Sequence, residues 1–136
     1  MDELVVKKLI NVARENSLKN DCCPHTRFSV GAALLTEDGT IFGGFNIENA
    51  GIMSICGERV AFVKALSEGH KKFKALAVMG KSIDSETFKK VLPCGYCRQF
   101  MVEYVNSEFL IYTYDEEDEI LYSYTLKELL PESYEF

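Results

Sequence analysis

Two short stretches constrain this chain more than its bulk composition does: Cys56-Gly57-Glu58, and later Pro93-Cys94-Gly95-Tyr96-Cys97. Each is weak alone. A Cys-x-x-Cys pair sets two thiols one helical turn apart, which serves redox chemistry as readily as chelation. A single cysteine at a helix start is most often a small buried hydrophobe. Together, however, they supply three thiolates from two helix starts, and the positive end of a helix favours thiolate over thiol. A fold that brings both starts to one point makes a pocket suited to Zn²⁺. Three protein ligands then leave a fourth position open to water, as in catalytic zinc sites, and such a water is acidic enough to furnish hydroxide near neutral pH. Glu58 stands two residues after Cys56. If its helix aims its end at the metal, the carboxylate reaches the water without ligating the ion and carries protons to the substrate.

The rest of the chain reads as a frame for these two helices. Leu4, Leu9, Val12 and Ala13 recur at helical spacing behind Asp2, an N-cap residue. After a break at NDCCPHT, residues 28–47 read as an antiparallel pair turning at Asp38-Gly39. A helix runs from about Cys56 to Leu66, with Gly69 closing it. FKALAVMG is a third strand, and the polar stretch KSIDSETFKKVL a loop or short helical turn. Pro93 opens a helix to about Val105, EFLIYTYD and EILYSYT are two more strands around an acidic turn, and LKELLP is a last short helix. The order α-β-β-α-β-α-β-β-α, without repeats or linkers, predicts a single α/β domain over residues 1–136. One mixed five-stranded sheet would lie between helices as a three-layer α-β-α sandwich.

Composition excludes some classes of partner. With 47% hydrophobic residues the chain has material for a core, and a net charge of -6 disfavours a nucleic-acid backbone. The aromatic strands FLIYTYDEEDEILYSY invite comparison with base-stacking surfaces, but their acidic turn opposes that. No apolar run approaches the ~20 residues that cross a bilayer, and the N-terminus lacks a signal-peptide pattern. A cytoplasmic protein without nucleic-acid or membrane partners is the expectation. Five cysteines in that setting point to metal or catalysis more than to disulfides.

The C-x-E and P-C-x-x-C pair resembles the signature of the zinc-dependent nucleoside deaminases. Across nearly the whole chain, FSVGAALLTEDGTIFGGFNIENA, ICGERVAFVKALSEGHKKFKAL, PCGYCRQF and LKELLP are similar to segments of the small homotetrameric cytidine deaminases. The resemblance implies one Zn²⁺ per chain held by Cys56, Cys94 and Cys97, with Glu58 as proton shuttle. It implies ribose contacts from Asn46 and Glu48, a pocket aromatic at Phe28, and Arg59 hydrogen-bonding the ligand thiolates, which offsets the net -1 charge of a three-thiolate zinc. It also implies a homotetramer acting on a small nucleoside: cytidine and 2′-deoxycytidine would be deaminated to the uridines in pyrimidine salvage, with attack at C4.

Three departures bear on substrate. Gly57 stands where the family usually has alanine, against the base, so a wider pocket is expected. The loop between Ala50 and Cys56 is one residue shorter than in many relatives. Tyr134 replaces a phenylalanine that reaches a neighbouring subunit's pocket. Other readings stay open. They are a deaminase of blasticidin S or of a modified cytosine nucleoside, redox thiols, and a non-catalytic zinc-stabilised module with a fourth ligand from Cys22, Cys23, His25 or His70. Phe28 is equally placed to be core, Arg59 to be an ordinary surface residue, and Asn46 and Glu48 to face solvent at a strand end.

Overall fold

The computed structural model describes residues 1–50 and 54–135. The elements are α1 (Glu3–Leu18), β1 (Phe28–Thr36), β2 (Ile41–Phe45), α2 (Gly57–Ser67), β3 (Phe73–Ser82), α3 (Gly95–Val102), β4 (Leu110–Asp115), β5 (Ile120–Thr125) and α4 (Leu126–Leu129), in the order the sequence predicts. The strands form one sheet ordered β2-β1-β3-β4-β5. Only β3 and β4 run parallel; β1 pairs antiparallel with both β2 and β3, and β4 with β5. The parallel pair needs a crossover, and α3 supplies it.

Side-chain alternation along the strands divides the core in two. On one face Ala33, Leu35, Ala75, Ala77, Met79 and Tyr112 pack against Val6, Leu9, Ile10 and Ala13 of α1. On the other, Ala32, Leu34, Leu76, Val78 and Ile111 pack against Ala61, Phe62 and Ala65 of α2, Met101 of α3 and Leu126 of α4. The result is the three-layer α-β-α sandwich with a mixed five-stranded sheet. The small residues Ala32, Ala33, Ala75 and Ala77 in the central strands let helices approach closely from both sides.

Helix ends follow their local chemistry. Asp2 caps α1 by accepting from the Leu4 N–H at 2.8 Å. Past the end of α2, Gly69 takes a φ of 96°, its N–H bonds the Leu66 carbonyl, and the His70 N–H bonds the Ala65 carbonyl. This is a Schellman closure, which a left-handed glycine permits. Thr125 and Glu128 form a capping box at α4.

Two boundaries differ from expectation. β2 stops at Phe45, and Ile47 instead makes an isolated bridge with Ile55. α3 is shorter than the pattern from Pro93 to Val105 implies, because Cys94 is an extended N-cap residue and the Tyr104 and Val105 N–H groups both fold back onto Met101 O. The polar 81–92 stretch holds no helix, yet Phe88 within it is fully buried on the α1 face. Arg14 and Lys81 lie over its ring at 5.1 and 5.6 Å. No helix among the described residues is long and apolar enough to cross a membrane.

Candidate metal centre and active site

α2 and α3 lie on the same face of the sheet and begin at the same place. Cys56 is the extended N-cap of α2 and Cys94 that of α3, with φ/ψ of -70°/149° and -67°/169°. Neither thiol caps its own helix, so both sulfurs are left for another partner. Cys97, in the first turn of α3, completes the group. The Sγ of Cys94 lies 3.7 Å from that of Cys56 and 3.6 Å from that of Cys97. Sulfurs each about 2.3 Å from a tetrahedral zinc stand about 3.8 Å apart, so the three fit one Zn²⁺ with little adjustment. No fourth cysteine, histidine or carboxylate among the described residues joins the cluster. His70, a candidate fourth ligand, packs instead on Phe42 and faces Asp38. A closed structural site is therefore not what the geometry offers.

The close approach of α2 to the sheet depends on missing side chains. A Cβ on Gly57 would stand 2.8 Å from the Val30 carbonyl oxygen, 3.1 Å from the Phe45 Cα and 3.3 Å from the Asn46 nitrogen. Opposite it, a Cβ on Gly44 would meet the Gly57 carbonyl oxygen at 2.8 Å. The space that Gly57 leaves is thus filled by backbone of β1 and of the end of β2. This differs from the wider pocket expected at that position. The shortened loop before Cys56 includes residues 51–53, which lie outside the described residues.

The sulfurs share protons unequally when no ion is bound. Cys56 is brought down to about 5, chiefly because the Cys97 thiol hydrogen-bonds its sulfur and also because Arg59 does. Cys97 is pushed up, by that same hydrogen bond and by burial. A Cys56 thiolate beside the Cys97 thiol is an arrangement ready to lose that proton to a cation.

Glu58 is only 4% exposed, and its Oε1 has no hydrogen-bond partner among the described residues. Burial raises its pKa to about 7, and the neighbouring Cys56 charge adds to the rise. A buried, unpartnered carboxylate oxygen is costly unless something outside the fold completes it. It lies outside the ligand cluster, as a proton carrier must. Arg59 places Nη2 3.6 Å from the Cys56 sulfur and 3.4 Å from the Ser54 carbonyl oxygen. The Tyr96 ring covers it, with Cζ 4.0 Å from the centroid. Arg59 is therefore no ordinary surface residue: it is held between a ring and a thiolate.

Phe28 is 37% exposed, so it is not core; its ring edge sits over the Gly80 backbone beside Val91. Asn46 and Glu48 both turn toward the segment before and within β1. The Asn46 Oδ1 accepts from the Val30 N–H at 2.9 Å and its Nδ2 donates to the Phe28 carbonyl at 3.0 Å, extending the ladder beyond the last residue of β2. The Glu48 carboxylate accepts from the His25 and Thr26 N–H groups at 2.9 and 3.2 Å and from the Thr26 hydroxyl at 2.5 Å. These bonds hold its pKa below the usual carboxylate range, the Thr26 hydroxyl foremost. Tyr134 is 66% exposed on a tail clasped to α3, where Gln99 donates to the Tyr134 carbonyl at 2.7 Å and accepts from its N–H at 3.0 Å. Sequence reasoning missed the Tyr96 ring over Arg59: Tyr96 lies inside the Cys94–Cys97 pattern, but the spacing of the cysteines says nothing of which side chain on another helix it covers.

A three-layer α/β domain with three convergent thiolates and an adjacent buried carboxylate defines a zinc-dependent hydrolase. The model of the cytidine and deoxycytidylate deaminase zinc-binding region matches residues 3–113, and the chain belongs to that family. A cytidine deaminase from Sporosarcina psychrophila is 42% identical over 127 residues, covering 93% of this chain and 88% of its own. A blasticidin-S deaminase from Bacillus cereus is 31% identical over 109 residues, covering 77% of this chain and 76% of its own. The crystal structure of cytidine deaminase from Burkholderia pseudomallei superposes with a TM-score of 0.82 at 32% identity, over 98% of this chain and all (100%) of the other.

Proposed function

We propose that this enzyme hydrolyses the 4-amino group of cytidine and 2′-deoxycytidine, giving the uridines and ammonia. The observation that carries the proposal is the pairing of three sulfurs spaced for one tetrahedral ion with a buried carboxylate oxygen that has no partner among the described residues. The residues that would hold the metal, one Zn²⁺ per chain, are Cys56, Cys94 and Cys97. When bound, zinc supplies a water of strongly lowered pKa. Everything else falls to the chain. Glu58, whose Oε1 is buried with no hydrogen-bond partner among the described residues, takes a proton from the attacking water. It delivers that proton to N3 as C4 becomes tetrahedral, then takes the proton of the new C4 hydroxyl and delivers it to the departing amine, so that the C4–amine bond breaks as the carbonyl forms. Arg59, beside the Cys56 sulfur, offsets the excess charge of a three-thiolate set.

The ribose contacts follow from hydrogen-bond capacity. Among the described residues, both sites on the Asn46 Oδ1 are taken while one Nδ2 hydrogen remains, and the Glu48 Oε2 retains acceptor capacity beyond Thr26. A sugar hydroxyl satisfies both, accepting from Asn46 and donating to Glu48. Phe28, half-exposed near these groups, supplies an apolar wall.

The assembly is proposed to be a homotetramer. Tyr96 of α3 and Tyr134, clasped to α3 by Gln99, are each 66% exposed, and Val63 of α2 is 53% exposed. Neighbouring copies would cover these surfaces and bring Tyr134 to an adjacent pocket. Residues 1–136 act as one domain, and cytoplasmic pyrimidine salvage is the setting this activity serves.

A second reading, deamination of blasticidin S, is favoured by the relative of that name. Wider tolerance of modified cytosines loses its support at Gly57, where backbone fills the space. A module without turnover leaves the buried Glu58 unexplained. The test is the zinc-loaded protein with cytidine, 2′-deoxycytidine, N4-substituted cytidines and blasticidin S, following loss of the amine by ultraviolet absorbance. Turnover of the two nucleosides is expected. Turnover of blasticidin S alone would replace the substrate, and inertness toward all would replace the enzyme with a binding module.

A further inference from the structure

We infer that Asn20 is a positioning residue for the ribose-binding amide of Asn46, an inference that rests on the ribose reading proposed above. Asn20 follows α1 and uses its whole side chain. Its Nδ2 donates to the Asn46 Oδ1 at 2.8 Å and to the Ser29 hydroxyl at 3.1 Å, and its Oδ1 accepts from the Cys22 N–H at 2.8 Å. Ser29 in turn donates to the Ser17 carbonyl at 2.7 Å, and Ser17 and Ser29 are only 3% and 2% exposed. A buried hydroxyl network rooted in α1 therefore reaches the segment that carries Asn46 through one side chain.

The consequence is directional. The Asn46 Oδ1 has two acceptor sites; Val30 takes one and Asn20 the other. With its oxygen filled from the protein side, the amide presents only an N–H outward. That polarity is what a sugar hydroxyl donating to Glu48 requires of its second partner. A carboxylate at position 20 would set an acceptor against the Asn46 oxygen. Turning the amide over does not relieve this, because its oxygen would then face the Phe28 carbonyl and its N–H the Val30 N–H, so the carboxylate pushes the amide out of its ribose-facing position. Substitution by alanine removes one hydrogen bond without adding that repulsion.

The effect must depend on the sugar and spare the ring chemistry. The experiment measures kcat and KM of the zinc-loaded wild type, Asn20→Ala and Asn20→Asp with cytidine and with 2′,3′-dideoxycytidine, alongside each variant's Tm. Loss of one hydrogen bond corresponds to about 3–10-fold. The cytidine KM is expected to rise by about threefold in Asn20→Ala and about tenfold in Asn20→Asp. For the dideoxynucleoside both variants stay within about twofold of wild type, and kcat on cytidine is little changed. If Asn20→Asp fails to fold, Asn20→Ala gives the same comparison. A variant that raises KM equally on both nucleosides, or on neither, overturns the role of Asn20 and leaves the ribose reading standing. A wild type that binds both nucleosides equally overturns the ribose reading and this inference with it.

Discussion

The sulfurs of Cys56 and Cys94 lie 3.7 Å apart although 38 residues separate them. Each is the N-cap of its own helix, and neither is used to cap it. The sheet holds two helix starts against each other so that their positive ends share one thiolate-rich point. Removing a ligand should therefore cost both the ion and the stability that binding adds. Cys94→Ala and Cys97→Ala are expected to hold well under one zinc per chain by atomic absorption and to melt below the wild type. One zinc per chain retained in both variants would refute the ligand set.

Glu58 tests the chemistry apart from the metal. Glu58→Gln keeps the shape but cannot carry a proton. Its zinc content should equal that of the wild type, while kcat falls by about 10²–10⁴-fold, the usual contribution of general acid–base catalysis. Wild-type turnover by this variant would end the proton-shuttle assignment.

Burial of the same carboxylate makes a stability prediction for protein stripped of metal. Its folded pKa, about 7, exceeds the ordinary glutamate value of 4.5, so between these values the folded state binds more protons than the unfolded one. Stability from this group is thus full below about pH 4.5 and is lost as pH rises toward 7. Glu58→Gln has no such loss. Denaturant titration of the chelator-treated proteins should show the two closest at low pH, with the variant gaining relative to wild type as pH rises to 8. A gap independent of pH would mean that Glu58 ionises freely in the folded protein.

Gly57 tests helix–sheet contact. A valine there would drive its Cβ into the Val30 carbonyl and its methyl groups into β2, so Gly57→Val should lose about 1–3 kcal/mol of stability, as overpacking does. Gly57→Ala should lose less, because α2 needs to retreat by only a few tenths of an ångström. Equal stability of all three proteins by denaturant titration would mean that the contact is loose.

The Tyr96 ring over Arg59 should be felt at the thiolates. A guanidinium bonded to Cys56 withdraws charge from sulfur and makes it a poorer nucleophile. Tyr96→Leu loosens Arg59, so alkylation of the zinc-loaded protein by iodoacetamide should speed up by about 2–5-fold, the scale of an exposed cation–π contact. Tyr96→Phe, which keeps the ring, should match the wild type. Identical rates for the leucine variant would show that the ring does not hold Arg59.

Much of this protein follows from local rules. Period-two and helical patterning gives the nine elements of the described residues in order, Gly69 and Asp2 mark helix ends, and the two cysteine stretches contain the three thiols that the fold clusters as a group able to hold a metal ion. These are properties of neighbours in sequence, set by backbone geometry and hydrophobic period. Boundaries were read less well: α3 begins past Pro93 because Cys94 must stay extended to aim its sulfur. Phe88 was hidden in a polar stretch because one buried ring makes no period.

What tertiary structure alone decided is how those groups are used. That the Glu58 Oε1 is buried with no partner among the described residues, that Gly57 is filled by backbone rather than by space, that Tyr96 covers Arg59 and that Asn20 and Val30 fill the Asn46 oxygen all depend on how distant segments pack. Sequence fixes which atoms are present. Their burial, their spare hydrogen-bond capacity and their protonation depend on what the sheet and helices pack around them, because desolvation and hydrogen bonding act through space rather than along the chain.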